Sequence, residues 1–172
     1  MIETDRLILR NYTEEDFDGL YRIVSDPETM QYFPKPYDEA GTKRWITWSM
    51  EHYEKYGFGF WAVVLKETGE LMGNCGLTMQ NIDGEQLPEI GYHINKNFWK
   101  KGYAKEAARA VRDWAFQNTD FDTLYSYMDD KNIGSYSTAE ANGMKRIKEY
   151  DAEGEHLYVY AITREEWKKI SA

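Results

Sequence analysis

Apolar residues recur along the chain with two different periods, and the changes of period divide it into elements. Leu7-Ile8-Leu9 between Arg6 and Arg10 is a short apolar strand. Phe17, Leu20, Tyr21 and Val24 then follow at helical spacing, which predicts an amphipathic helix over 14–25. Thr13 suits its N-cap, with Asp16 at the third helical position and acids through the first turn. Pro27 starts a second short turn of helix through Met30. Tyr32-Phe33-Pro34-Lys35-Pro36-Tyr37 is an aromatic and proline loop that cannot continue it. Asp38 caps a further helix to about Tyr56, with Trp45, Trp48, Met50 and Tyr53 spread around it and Gly57 as its stop. These two early helices and the aromatic loop are candidates for one wall of a substrate pocket, or for plain packing.

From Phe58 the period shortens. Phe60–Leu65 reads as a strand, 67–70 as a hairpin turn and Leu71–Met79 as the returning strand. Gly73 and Gly76 inside that strand suggest a bulge or a close backbone approach. A turn at Asn81–Glu85 leads to a strand opened by Pro88, where Ile90, Tyr92 and Ile94 take one face and Glu89, Gly91 and His93 the other. A helix from Tyr103 to about Asn118 carries Ala104, Ala107, Ala108, Val111, Trp114 and Ala115 inward. Lys105, Glu106, Arg109, Arg112 and Asp113 fall on its outward side. Thr123–Met128 is a fifth strand. Asn132 caps a helix from Ile133 to Asn142, with Gly143 as its stop. Residues 144–151 and 156–162 form a closing hairpin, and a terminal helical turn starts at Thr163.

Composition narrows the function classes. The 172 residues are 42% hydrophobic and 30% charged, which fits one globular domain. The formal net charge is −9, so a nucleic-acid partner is disfavoured and a cationic partner such as an amine is favoured. One cysteine forms no internal disulfide, and with three histidines it gives no metal-ligand spacing. No apolar run approaches the length of a membrane span and no leader pattern opens the chain, so no membrane partner is expected and the cytoplasm is the expected location.

The chemistry concentrates in residues 89–108, a strand, a loop with Lys100-Lys101-Gly102, and a helix start. The first N–H groups of a helix have no intrahelical partner and sit at the positive end of its dipole, so this junction suits a phosphate. Glu89 supplies a carboxylate and His93 an imidazole on one strand face. On the later helix Asn132, Ser135, Tyr136 and Ala139 share a face, with hydroxyls near its start.

The run EIGYHINKNFWKKGYAKEAARAV, followed about thirty residues later by DDKNIGSYSTAEANGM, resembles the GNAT superfamily of acetyl-CoA-dependent N-acetyltransferases. The opening TDRLILRNYTEEDFDGLYRIVSDPETMQYF is similar to the ribosomal-protein (Rim-type) branch, so the resemblance runs from Glu3 to about Ile162. It implies an α/β GNAT fold in one domain over 1–172: a mixed, largely antiparallel, splayed sheet of six to seven strands with helices on both faces. It implies acetyl-CoA as co-substrate, with no metal. The pyrophosphate would lie on the backbone of Lys100, Lys101, Gly102, Tyr103, Ala104 and Lys105. Tyr92, His93 and Ile94 would pair with the pantetheine arm, and Asn132 would bond the cofactor from across the splay. The loop carries Lys100 where that branch usually has glycine, so Lys100 must keep a negative φ or accept strain.

The implied reaction is attack of an amine on the thioester. The amine must lose a proton, the oxyanion needs a donor and the thiolate needs a proton. Glu89 matches the family's base, which usually acts through water, and Ser135 matches a serine near the sulfur. The general-acid tyrosine of other members is replaced by Ala139, which leaves Ser135, Tyr136 or water as the proton source. An α-amine with pKa about 7.7–8 is roughly one-tenth neutral at pH 7, against about one part in 10³ for a lysine amine. A single base therefore favours a protein N-terminus or a small amine as acceptor, in a monomer or homodimer. The competing readings are a GNAT fold that binds acyl-CoA as a sensing or interaction module without turnover, and an α/β domain that binds no CoA.

Overall fold

Alternation along β3 (Phe60–Leu65) assigns its side chains to two cores, one on each face of a sheet. The computed structural model describes residues 1–171 and places Phe60 and Ala62 in one core and Trp61 and Val63 in the other. The first core is closed by α1 (Phe17–Val24) and α2 (Glu39–Tyr56), through Leu20, Ile23, Val24, Trp45 and Ile46. The second is closed by α3 (Tyr103–Asn118), through Ala107, Ala108, Val111, Ala115 and Phe116. Alanines on α3 let its axis approach the sheet, as the sequence predicts.

The remaining elements are β1 (Ile2–Glu3), β2 (Leu7–Asn11), β4 (Leu71–Ile82), β5 (Glu85–Ile94), β6 (Thr123–Asp129), α4 (Ile133–Ala141), β7 (Lys145–Ala152), β8 (Glu155–Thr163) and α5 (Arg164–Ser171). They make one mixed sheet in the order β1-β2-β3-β4-β5-β6-β8-β7. Every neighbouring pair is antiparallel except β5 and β6. The sheet has eight strands where six to seven are predicted. The extra one, β1, pairs only Ile2 with Leu9 and Glu3 with Ile8 and is too short to leave a pattern. No helix of the described residues is long and apolar enough to cross a membrane.

Three local expectations need correction. The segment after Pro27 is a turn rather than a helix. It is closed by Met30 N–H on Asp26 O at 3.0 Å and by the Asp26 carboxylate, which accepts from Thr29 N–H and Oγ1–H. Arg112 is not on an outward face of α3. It is buried, with Nη1 donating to Asn142 O at 2.8 Å, so it satisfies a carbonyl just past the end of α4. Pro88 lies inside β5, because Asp83-Gly84 (φ 50° and 87°) makes a tight turn and both strands run closer to it. Met79, opposite Pro88, donates its N–H to His52 Nε2 at 3.2 Å and not to β5. The missing proline N–H therefore faces the β6 side, where no partner is paired at that level.

Gly73 and Gly76 behave as predicted. The β3–β4 register shifts by one residue next to Gly73. A Cβ on Gly76 would stand 2.0 Å from Gly59 O and 2.7 Å from Phe60 Cα, both backbone atoms. Gly76→Ala is therefore expected to lose about 1–3 kcal/mol, several degrees of melting temperature. Gly134→Ala, in α4 with its nearest neighbour atom at 3.9 Å, should be neutral or stabilising. Urea melts of the two variants check this, and equal midpoints would disprove the close approach.

Candidate active site

β5 and β6 run parallel and pair at a single position, Glu89 opposite Tyr125. Beyond it they part. Since the Met79–Pro88 pair exchanges no hydrogen bond across β4 and β5, strand alternation turns the backbone groups of Ile90, Tyr92 and Ile94 toward β6. Ile90 O is taken by Ser126 Oγ–H at 2.7 Å. Ile94 O accepts from Trp99 Nε1–H at 2.8 Å. The backbone of Tyr92 faces the opening between the strands.

A cleft of about 1450 Å³ opens from this splay. Its wall includes the aromatic loop from Tyr32 to Tyr37 with Trp45, Trp48 and Phe60, so the pocket-wall reading holds for the loop and α2, while α1 lines none of it and serves packing. Asp83, Asp129, Asp151, Glu153 and Glu155 line it as well. Asp83 is paired with Lys148 at 3.0 Å and Asp151 with His156 at 2.7 Å. Burial, together with the charges of Asp129 and Glu153, raises the Glu155 carboxyl above its ordinary value.

Glu89 sits deep in the cleft, 6% exposed. Burial pushes its carboxyl up to about 8, only partly offset by a hydrogen bond from the Tyr127 backbone. Gly91 gives it room, for a Cβ there would lie 2.8 Å from Glu89 Oε1 and 3.1 Å from Phe60 Cε1. His93, farther along the same face, bonds Asn74 Oδ1 through Nδ1 at 3.0 Å. Burial lowers the imidazole to about 4, so it is neutral at physiological pH.

Asn132 and Ser135 reach the cleft from the start of α4. Asn132 Oδ1 accepts Ser135 N–H at 3.1 Å, the predicted N-cap. Tyr92 crosses the splay: its Oη–H donates to Ser135 O at 2.7 Å, and its oxygen lies 3.5 Å from Ser135 Oγ. Tyr136 turns away, edge-on to Tyr158 and parallel to Tyr160. Ala139 is buried in the core.

The Lys100–Lys105 loop stands outside the cleft lining. Lys100 adopts φ 64°, so it accepts the strain foreseen for it, on the order of 1 kcal/mol for a non-glycine residue. Gly102, φ 82°, is the N-cap of α3. The first bond of that turn runs from Glu106 N–H to Gly102 O, so the amides of Tyr103, Ala104 and Lys105 precede it. Arg6 buttresses the loop. Its Nη1 donates to Lys101 O at 3.1 Å, its guanidinium lies 4.2 Å from the Tyr103 ring centre, and it pairs with Glu106 at 2.7 Å.

The structure thus brings Glu89, Tyr92, His93, Asn132 and Ser135 together and leaves Ile94 in the core beside the loop. Sequence reasoning missed Arg6, Asn74 and the Tyr92 hydroxyl, because each acts through a contact made only by the fold.

The raised Glu89 carboxyl has a consequence for stability. A group whose folded pKa exceeds its unfolded value binds more protons in the folded state between the two values, so stability falls as pH rises from about 4.3, the ordinary glutamate value, toward about 8. Glu89→Gln removes this loss. Its melting temperature relative to wild type is expected to climb between pH 5 and pH 8.5, and a pH-independent difference would show that the carboxyl is not raised.

Residues 6–145 match the family model described as an acetyltransferase (GNAT) domain. The chain is similar to the Bacillus subtilis (strain 168) protein YkkB, 35% identical over 146 residues, covering 84% of this chain and 85% of that one. It is also similar to the N-acetyltransferase YnaD of the same organism, 30% identical over 174 residues and covering 96% and 98%. Among solved structures, a GNAT-family acetyltransferase from Bacillus anthracis superposes with a TM-score of 0.82 at 26% identity, over 95% of this chain and 98% of that one. With a GNAT sheet, its splay and these relatives in agreement, the chain belongs to the GNAT family and is an acyltransferase.

Proposed function

We propose that the protein moves the acetyl group of acetyl-CoA to a primary amine, either a protein N-terminus or a small molecule. On its opening residues we place it in the ribosomal-protein N-acetyltransferase branch. The observation that carries the reading is the Glu89 carboxyl, buried in the throat between an open strand edge and an aromatic, acid-rimmed cleft. The donor would lie with its pantetheine along Tyr92, His93 and Ile94 and its pyrophosphate on the amides from Lys100 to Lys105. Asn132 would meet it from α4. The acceptor would enter past Asp129, Glu153 and Glu155, whose charges draw an ammonium group.

Glu89 then takes a proton from that ammonium. A carboxyl near 8 is matched to an α-amine of about 7.7–8, and that match favours transfer at neutral pH. The freed nitrogen attacks the thioester carbon and the N–C bond forms. As the C–S bond breaks, the nitrogen gives up its second proton, which passes through water or the Ser135 hydroxyl to the leaving sulfur. The thiolate leaves beside Ser135, whose hydroxyl or a water protonates it. Tyr92 fixes the first turn of α4 by bonding the Ser135 carbonyl.

The test is release of CoA thiol from acetyl-CoA across a panel of amines. Thermal stabilisation by CoA with no thiol release from any amine would favour a binding module. Glu89→Gln is expected to lower kcat by roughly 10²–10³ and to remove the limb of the pH–rate profile near pH 8, with CoA affinity unchanged. Gly102→Val should abolish CoA binding, since a β-branched residue resists φ 82° and shields the amides. Calorimetry with wild-type CoA affinity in that variant would sink the loop assignment. The acceptor KM should also rise with salt, as screening weakens the acidic rim.

A further inference from the structure

The His93 imidazole lines the cleft, and this side chain has no part in the steps above. We propose that His93 Nε2 is a second contact for the acceptor nitrogen, accepting an N–H while Glu89, across Gly91, takes the proton. The proposal rests on the acetyl-transfer reading and adds a selectivity, for primary over secondary amines.

The two groups share a strand face, and the Glu89 carboxyl leans along it over Gly91, where it fills the space of the absent Cβ. Gly91 and His93 are two residues apart, about 7 Å along a strand. One nitrogen bound between the two side chains would contact each at about 3 Å. The Phe60 ring stands beside both, close to Gly91 and with its centre 5.7 Å from the imidazole centre.

The imidazole is held in one orientation and one tautomer. Phe33 at 4.7 Å and Trp45 at 4.9 Å pack its ring. Asn74, directly opposite on β4, presents Oδ1 to Nδ1. With the amide this way round, its Nδ2 is buried and makes no hydrogen bond among the described residues. An amide oxygen only accepts, so Nδ1 carries the proton and Nε2 a lone pair. Nε2 has no hydrogen-bond partner among the described residues, and His93 lines the cleft.

Burial decides what the lone pair can do. A group held near 4 is at least about four pKa units too weak to deprotonate an amine of about 8. His93 is therefore not the base, and no bond is made or broken there. It stays a neutral acceptor throughout the range in which the amine reacts. A primary amine has one N–H for Nε2 while its lone pair faces the thioester. A second carbon on nitrogen would compete for that position.

The experiment compares wild type, His93→Phe and His93→Gln with acetyl-CoA and phenethylamine, spermine or an alanine-initiated peptide. His93→Phe keeps the ring packing and loses the acceptor. It is expected to lower kcat/KM for the amine by about tenfold or more, with a smaller effect on the acetyl-CoA KM. The melting temperature should fall in both His93 variants, each of which leaves Asn74 Oδ1 without its donor. His93→Gln, which restores an oxygen near Nε2, should recover most of the loss. A purely packing role gives the reverse order, with Phe near wild type and Gln below it, and would overturn the proposal. N-methylphenethylamine should be a poor acceptor for wild type and the difference should shrink in His93→Phe. An independent arm needs no turnover: ¹⁵N-histidine spectra at pH 7 should show protonated Nδ1 and bare Nε2, with the Nε2 signal moving on addition of the amines. If wild type acetylates none of them, the transfer reading falls, while a protonated Nε2 or an Nε2 signal unmoved by all three amines would overturn the His93 contact itself.

Discussion

β5 and β6 meet at one residue pair and then separate, and the rest of the molecule is arranged around that interruption. A parallel pair that continued would have consumed the Tyr92 backbone groups and closed the cleft. What stops it is visible on both strands. Ser126 spends its side chain on Ile90 O, the Tyr127 backbone bonds the Glu89 carboxyl, and Tyr92 reaches across to the Ser135 carbonyl. The strands are thus tied by side chains at the throat and need no further ladder beyond it. The open backbone that results would be a liability at an ordinary sheet edge. Here it lies inside the fold, next to the start of α4, where a ligand strand can complete it.

The same throat explains why a carboxyl is buried there. A buried Glu without a cationic partner is unfavourable when ionised, and the fold supplies a single backbone hydrogen bond in return. Two features make the burial sterically possible. Gly91 leaves a hole for the carboxyl, and Phe60 closes the far side of it. A sheet built only for stability would place an apolar residue at 89, and on the proposed reaction that cost is assigned to the chemistry.

Much of this geometry could be read from the chain, for definite reasons. A period of two puts Glu89, Gly91 and His93 on one face whatever the rest of the fold does. Asp38 and Asn132 cap their helices through contacts three residues away, at Gly41 and Ser135, and such contacts are local enough to read. The glycines of β4 mark close approach because nothing else fits. The misses are contacts across long sequence separations. Arg112 looked outward because its acceptor, Asn142, arrives with another helix. Arg6 looked like a strand-end charge because the loop it supports lies ninety-five residues on. Asn74 is an intermediate case. Placing the turn at Asp83-Gly84 and counting eight residues outward from Ile82 and Glu85 puts Asn74 opposite His93. The broader turn assumed over Asn81–Glu85 hid that register.

The two proton transfers of the proposed reaction make unequal demands, and the structure is unequal in the same sense. An amine must be deprotonated before it can attack, whereas a thiol of pKa about 8.5 leaves readily as its anion. On the acceptor side the chain provides a buried carboxyl, a glycine that shapes its niche and an oriented imidazole. On the thiolate side Ala139 is packed into the core, and Tyr136 packs against Tyr158 and Tyr160. Tyr92 does not fill that gap as an acid. Burial raises its phenol well above the ordinary value, so it holds its proton more tightly than the leaving thiol would. Its bond to the Ser135 carbonyl instead fixes where the serine hydroxyl stands. Ser135 can therefore stabilise developing charge on sulfur by a hydrogen bond while water completes the protonation, and the absence of a tyrosine at 139 costs the reaction little.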